Sequence, residues 1–171
     1  MSKVSQKIEL TANILIIVVA LLLGGVLIKK YFFDPPVVSN QPPRVEPKIG
    51  SVMNVPDVNW SQQPKTLILA LQSSCHFCNE SAPFYKRVIE SVKDKNVKLI
   101  AVFPTAVEES AAHLQKLGLS NMEVKQSSLG SLQVSGTPTL ILTNDKGEVT
   151  NYWVGKLTPD KETEVINKLN L

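Results

Sequence analysis

Hydrophobic residues run along this chain in two rhythms. From residue 10 to 28 (LTANILIIVVALLLGGVLI) they are nearly continuous, with no charge and only Thr11 and Asn13 clearly polar. As a helix rising ~1.5 Å per residue, this run would reach roughly 28 Å, about one hydrocarbon core. A cleaved leader is the competing reading. The stretch is long for one, no Ala-x-Ala site follows, and Lys29, Lys30 and Tyr31 fit an interfacial anchor instead. The pattern predicts an N-terminal flank over 1–9 and a transmembrane anchor over 10–30.

Beyond residue 48 the apolar runs are short and alternate with amphipathic stretches. TLILALQ (66–72) and VKLIAVFP (97–104) read as buried strands. Between them, Ser73 and Ser74 offer caps for a helix from about Cys75 to Val92, kinked at Pro83. VEESAAHLQKLG (107–118) reads as a helix stopped by Gly118, and MEVKQ (122–126) as a short strand before a helical turn near 128–133. TLILT (139–143), the turn NDKG and EVTNYWVG (148–155) read as a β-hairpin. Thr158 and Pro159 then open a last helix. Strands alternating with helices imply an α/β sandwich over 49–171. Residues 34–48 (DPPVVSNQPPRVEPK) hold five prolines. They favour extended polyproline conformations, so 31–48 reads as a semi-rigid linker.

Charge adds little to this picture. The net charge is +3, but residues 49–171 hold twelve basic and twelve acidic side chains. The excess sits beside the apolar segment, and the domain has no electrostatic footprint for nucleic acid. Lysines flank both ends of the anchor, so charge does not fix its orientation.

The two cysteines carry the candidate chemistry: Cys75-His76-Phe77-Cys78, directly after a predicted strand and at a predicted helix start. Unpaired N–H groups and the positive end of the helix dipole favour a thiolate there. Cys75, the outer position, is the expected nucleophile. Cys78, nearly one turn deeper, can close a disulfide and resolve a mixed one. His76 can add positive charge when protonated. Phe77 is expected to be exposed and available to a substrate. Half of a zinc site has the same spacing, but no second pair of cysteines exists, and His113 reads as a surface residue. No metal or organic cofactor is implied. Trp60, Trp153, Phe84 and Tyr85 read as core or groove aromatics.

The sequence resembles the thioredoxin superfamily. Three linked motifs carry the likeness: the CxxC, Pro83 five residues after its second cysteine, and VSGTPTLIL, whose Thr137-Pro138 matches the family's cis-proline turn. The resemblance implies a central mixed sheet flanked by helices. It also implies a loop at Thr137 and Pro138 that packs beside the CxxC and docks substrate backbone. Pro138 lies sixty positions after Cys78, enough for a strand–helix–strand insertion over about 97–126. With the anchor, this looks like the TlpA/ResA-like membrane-tethered thiol–disulfide oxidoreductases. The expected partners are then protein thiols and disulfides and a redox-partner protein. The expected place is the periplasmic side of a bacterial inner membrane.

The departures are specific. The family's buried acid, six residues before the first cysteine, falls on Leu69, and its tryptophan before the CxxC falls on Ser74. Glu80 is a candidate substitute acid, or a solvated charge near a helix start. His-Phe matches neither thioredoxin's dipeptide nor that of the strong Dsb-type oxidase, so both directions of exchange stay open. The alternatives are a Dsb-type oxidase or isomerase, and a non-enzymatic tethered module for binding or metal transfer.

Overall fold

The computed structural model describes residues 3–28 and 45–170. They form two units. The first is a single helix, α1 (Lys3–Ile28). Its described side chains from 12 to 23 are all exposed, Ile14, Leu15, Ile16, Leu21 and Leu22 among them. Side chains are described there only over 12–25 and at Glu9, fewer than the ~20 apolar residues of a span. Among the described residues, no helix is long and apolar enough to cross a membrane. The rest of the expected anchor, and the linker up to residue 44, lie outside the described residues.

The second unit is built on a five-stranded mixed sheet in the order β3-β2-β1-β4-β5. The strands are β1 (Lys65–Ala70), β2 (Val97–Phe103), β3 (Glu123–Gln126), β4 (Thr139–Asn144) and β5 (Val149–Val154). β1 pairs in parallel with β2 and antiparallel with β4. Apolar side chains on both faces suit a central strand. Leu67, Leu69 and Leu71 face one core cluster, and Ile68 and Ala70 face the other. The helices are α2 (His76–Glu80), α3 (Ala82–Val92), α4 (Val107–Lys116) and α5 (Pro159–Asn170). The expected segment over 97–126 is β2-α4-β3, and it supplies two strands at one side of the sheet. At that edge Glu123 accepts from Lys98 at 2.8 Å and Lys125 at 3.1 Å, charges that oppose pairing with another chain.

The flanking differs from the expected arrangement. Phe84, Tyr85 and Val88 of α3, Leu114 of α4, and Val165 and Leu169 of α5 all pack into the first cluster. Among the described residues, no α-helix contributes to the second cluster. Met53, Val55, Leu132 and Val134 cover that face from irregular chain, and Trp60 from a single 3-10 turn (Trp60–Gln62). The turn expected near 128–133 is there, but Ser128 and Ser131 bond to each other and Gln133 takes φ 54°, so no helix develops.

The domain also starts before residue 49. Val45–Lys48, read from sequence as the end of the linker, pack on it: Ser135 N–H donates to the Val45 carbonyl at 3.1 Å, and Tyr152 Oη donates to Glu46 at 2.9 Å. Residues 50–53 then run beside the hairpin, with Gly50 N–H donating to Val149 O and Met53 N–H to Gly147 O.

One glycine is fixed by this packing. Gly147, in the β4–β5 turn, has φ +76°, and a β-carbon there would stand 2.8 Å from Trp60 ring carbons. Gly147→Ala should therefore cost about 2–4 kcal/mol, from left-handed strain and overpacking. The control Gly130→Ala meets nothing closer than 4.0 Å and should stay within about 0.5 kcal/mol. Urea unfolding of the two variants checks both values.

Candidate active site

The central strand delivers the cysteines. After β1, Leu71 N–H still donates to Val102 O at 2.9 Å, and the chain then turns through Gln72–Ser74. The expected serine caps are not used. Cys75 itself is the N-cap of α2, and its Sγ accepts from Cys78 N–H at 3.1 Å. The sulfur takes the place a cap hydroxyl would hold. The expected single kinked helix is two: α2 ends at Ser81, where the Ser81 hydroxyl donates to Phe77 O at 2.7 Å, and Pro83 lies in the first turn of α3. This short α2 fits Pro83, whose missing N–H and ring bar it from a helix interior.

Cys75 and Cys78 form a disulfide with a Cα–Cα distance of 5.2 Å. Cys75 is half-buried, whereas Cys78 is only 2% exposed and sits in the first core cluster. Leu69 belongs to that same cluster, so hydrocarbon stands where the resemblance places an acid. Phe77 is 54% exposed, as expected.

The antiparallel neighbour brings in the second part. Ala70 at the end of β1 pairs with Thr139 at the start of β4. The loop before β4 therefore reaches the CxxC, and the Thr137–Pro138 bond is cis. Thr137 O lies 3.4 Å from Cys75 Sγ, across 62 residues of sequence. The Thr137 hydroxyl donates to Gln72 Oε1 at 3.4 Å, a second tie between the two loops. Gly155 N–H donates to Pro138 O at 2.7 Å.

The charged candidates lie outward. His76 has 77% of its side chain exposed, and its Nε2 stands 3.1 Å from Glu80 Oε1. The other Glu80 oxygen accepts from Lys156 Nζ at 2.8 Å. The Lys156 hydrogen bond holds the Glu80 carboxyl below its ordinary range, and the charges of Lys156 and His76 add to it. The two oxygens of Glu80 thus face the Lys156 ammonium and the exposed His76 ring at the surface, as a solvated charge would.

Three contributors escaped the sequence reading. Gln72 and Lys156 are ordinary polar residues in loops, joined to the site by contacts across more than sixty positions. His113, expected at the surface, is half-buried on α4. Its Nε2 lies 3.1 Å from Asn79 Oδ1, and its ring stands edge-on to Phe103 at 6.2 Å. Phe84, Tyr85 and Trp153 are core aromatics, as expected, and Trp60 packs against the second cluster.

No family model matches the chain, and no curated protein matches it. Solved structures do. The thioredoxin domain of a thiol–disulfide oxidoreductase from Bacteroides vulgatus superposes with a TM-score of 0.57 at 17% identity, over 72% of this chain and 98% of that one. A thiol:disulfide interchange protein from a Bacteroides species gives 0.58 at 17% identity, over 73% and 92%. StoA from Bacillus subtilis gives 0.51 at 18% identity, over 72% and 97%. The chain has the thioredoxin-like fold of these proteins, and the likeness read from its motifs holds at that level.

The unequal burial of the two sulfurs sets their reactivity. In the reduced chain, iodoacetamide should modify Cys75 more than about tenfold faster than Cys78. Peptide mass mapping of a short labelling time course checks this. Equal rates would contradict the geometry.

Proposed function

We propose that this protein is a membrane-anchored thiol–disulfide oxidoreductase acting on protein substrates. The observation that carries the reading is Cys75 Sγ at the mouth of α2, with Cys78 N–H 3.1 Å away and the Thr137 carbonyl 3.4 Å away. A sulfur so placed has a hydrogen-bond donor for its anionic form and an acceptor for its thiol form. Beside it lies the half-buried edge of a loop that can receive a substrate backbone. The names of the structural neighbours attach the same exchange to the same fold.

The reaction balances on the two cysteines. The Cys75 thiolate attacks one sulfur of a substrate disulfide, forming a mixed disulfide and expelling the other substrate sulfur as thiolate. Cys78 then gives up its proton and attacks Cys75 Sγ, forming the Cys75–Cys78 disulfide and releasing the second substrate thiolate. Two electrons pass from the protein dithiol to the substrate, and the expelled thiolates take up protons. Run backwards, the steps oxidise a substrate dithiol. A redox-partner protein resets the pair by the same exchange. Thr137 and Pro138 shape the docking edge, and Phe77 offers an apolar contact.

Anchoring belongs to the same proposal. The described apolar side chains of α1 are exposed all round, and the uncharged run 10–28 suits lipid better than water. The β2-α4-β3 segment is read as the insertion of the TlpA/ResA-like proteins. The domain is assigned to the periplasmic side of the inner membrane, where an isolated CxxC is useful.

Two experiments test this. In the full-length chain, Cys75→Ser should abolish reduction of a model protein disulfide, while Cys78→Ser should accumulate a mixed disulfide through Cys75, seen on non-reducing gels. A Cys78→Ser chain that never traps substrate would sink the exchange reading. In intact spheroplasts, added protease should digest the domain. Its survival until the membrane is permeabilised would place it on the other side.

A further inference from the structure

The ion chain His76–Glu80–Lys156 touches both halves of the site. His76 and Glu80 lie on α2, one between the cysteines and one just beyond them. Lys156 lies in the loop after β5, next to Gly155, which holds the Pro138 carbonyl. The chain therefore fastens the cysteine helix to the backbone that supports the docking loop.

Two of its members lie on the helix that Cys75 caps. Whatever stabilises the Cys75 thiolate favours the dithiol over the disulfide. The two nearest polar groups oppose each other: the Cys78 N–H favours the thiolate, and the Thr137 carbonyl disfavours it. The next charges outward then tip the balance. Glu80 alone would set a carboxylate on this five-residue helix and repel the thiolate. Lys156, 2.8 Å from it, cancels that field.

We propose that Lys156 is a positioning residue of the thiol-exchange site, acting through Glu80 to set the balance between dithiol and disulfide. The proposal rests on the exchange reading above. Its sign follows from the charge removed. Removing the Lys156 charge leaves the Glu80 carboxylate uncompensated and makes the group one unit more negative. The disulfide gains. Removing the Glu80 charge makes the group one unit more positive. The dithiol gains. Removing both removes a neutral pair.

The test uses the full-length chain in detergent, equilibrated with glutathione buffers at pH 7. The protein disulfide and two reduced glutathiones exchange with the dithiol and one oxidised glutathione. Alkylation and mass measurement give the ratio. Lys156→Gln should shift the equilibrium constant about two- to fivefold toward the disulfide, and Glu80→Gln by a similar factor toward the dithiol, as solvent-screened pairs allow. The double variant should return close to the wild-type value, and Lys156→Arg should match wild type. A general loosening of α2 would not give single shifts of opposite sign that cancel. Singles that leave the constant unmoved, or move it the same way, overturn the role of Lys156, as does an arginine variant that behaves like glutamine. A wild-type chain that forms no Cys75–Cys78 disulfide at any glutathione ratio overturns the exchange reading, and this role with it.

Discussion

The site depends on the two unlike partners of β1. Its parallel pairing with β2 requires a crossover, and the crossover is the chain that carries α2 and α3. Its antiparallel pairing with β4 means that the end of one strand lies beside the beginning of the other. The cysteine turn leaves β1 where the Thr137–Pro138 loop enters β4. With β4 reversed, that loop would stand at the far end of the sheet. The register is held by packing, because a slip of one residue would turn Leu67, Leu69 and Leu71 away from their cluster.

The same face of the sheet explains the division between the sulfurs. Cys78 points into the cluster that Leu69, Phe84 and Leu114 help to fill, whereas Cys75 stands at the rim with polar neighbours from α2 and from the Thr137 loop. Hydrocarbon around one sulfur disfavours its charged form, and the donor beside the other favours it. The two cysteines are chemically alike and differ through the cover that the fold gives each.

Much of this was legible in the sequence. The five strands, the hairpin, the last helix and the cysteine pair all came from apolar runs and turn chemistry, and the cis bond at Pro138 from a family resemblance. These are local signals, or motifs that read as local. The misreadings have physical reasons. Ser73 and Ser74 have the right chemistry for a cap, but the chain makes its first helical turn one residue later and uses a sulfur. A helical turn was expected near 128–133; the serines and glycine at 127–131 and the left-handed Gln133 hold that stretch to a turn, so the second face is covered without an α-helix among the described residues. Gln72, His113 and Lys156 have no local signal at all. Each matters through one contact with a residue far away in sequence, which only the folded chain reveals.

The attachment of Val45 has a mechanical meaning. The polypeptide enters the described domain at this residue, and its carbonyl is held by Ser135, two positions ahead of Thr137. Glu46 is fastened one step further along, to Tyr152 on β5. Among the described residues, a displacement of Val45 is thus passed through one hydrogen bond to Ser135, and so to the loop that lies against the Cys75 sulfur. The Glu46–Tyr152 bond passes the same displacement to β5. Strain applied at residues 45–46 therefore reaches the surroundings of one sulfur by a path two residues long.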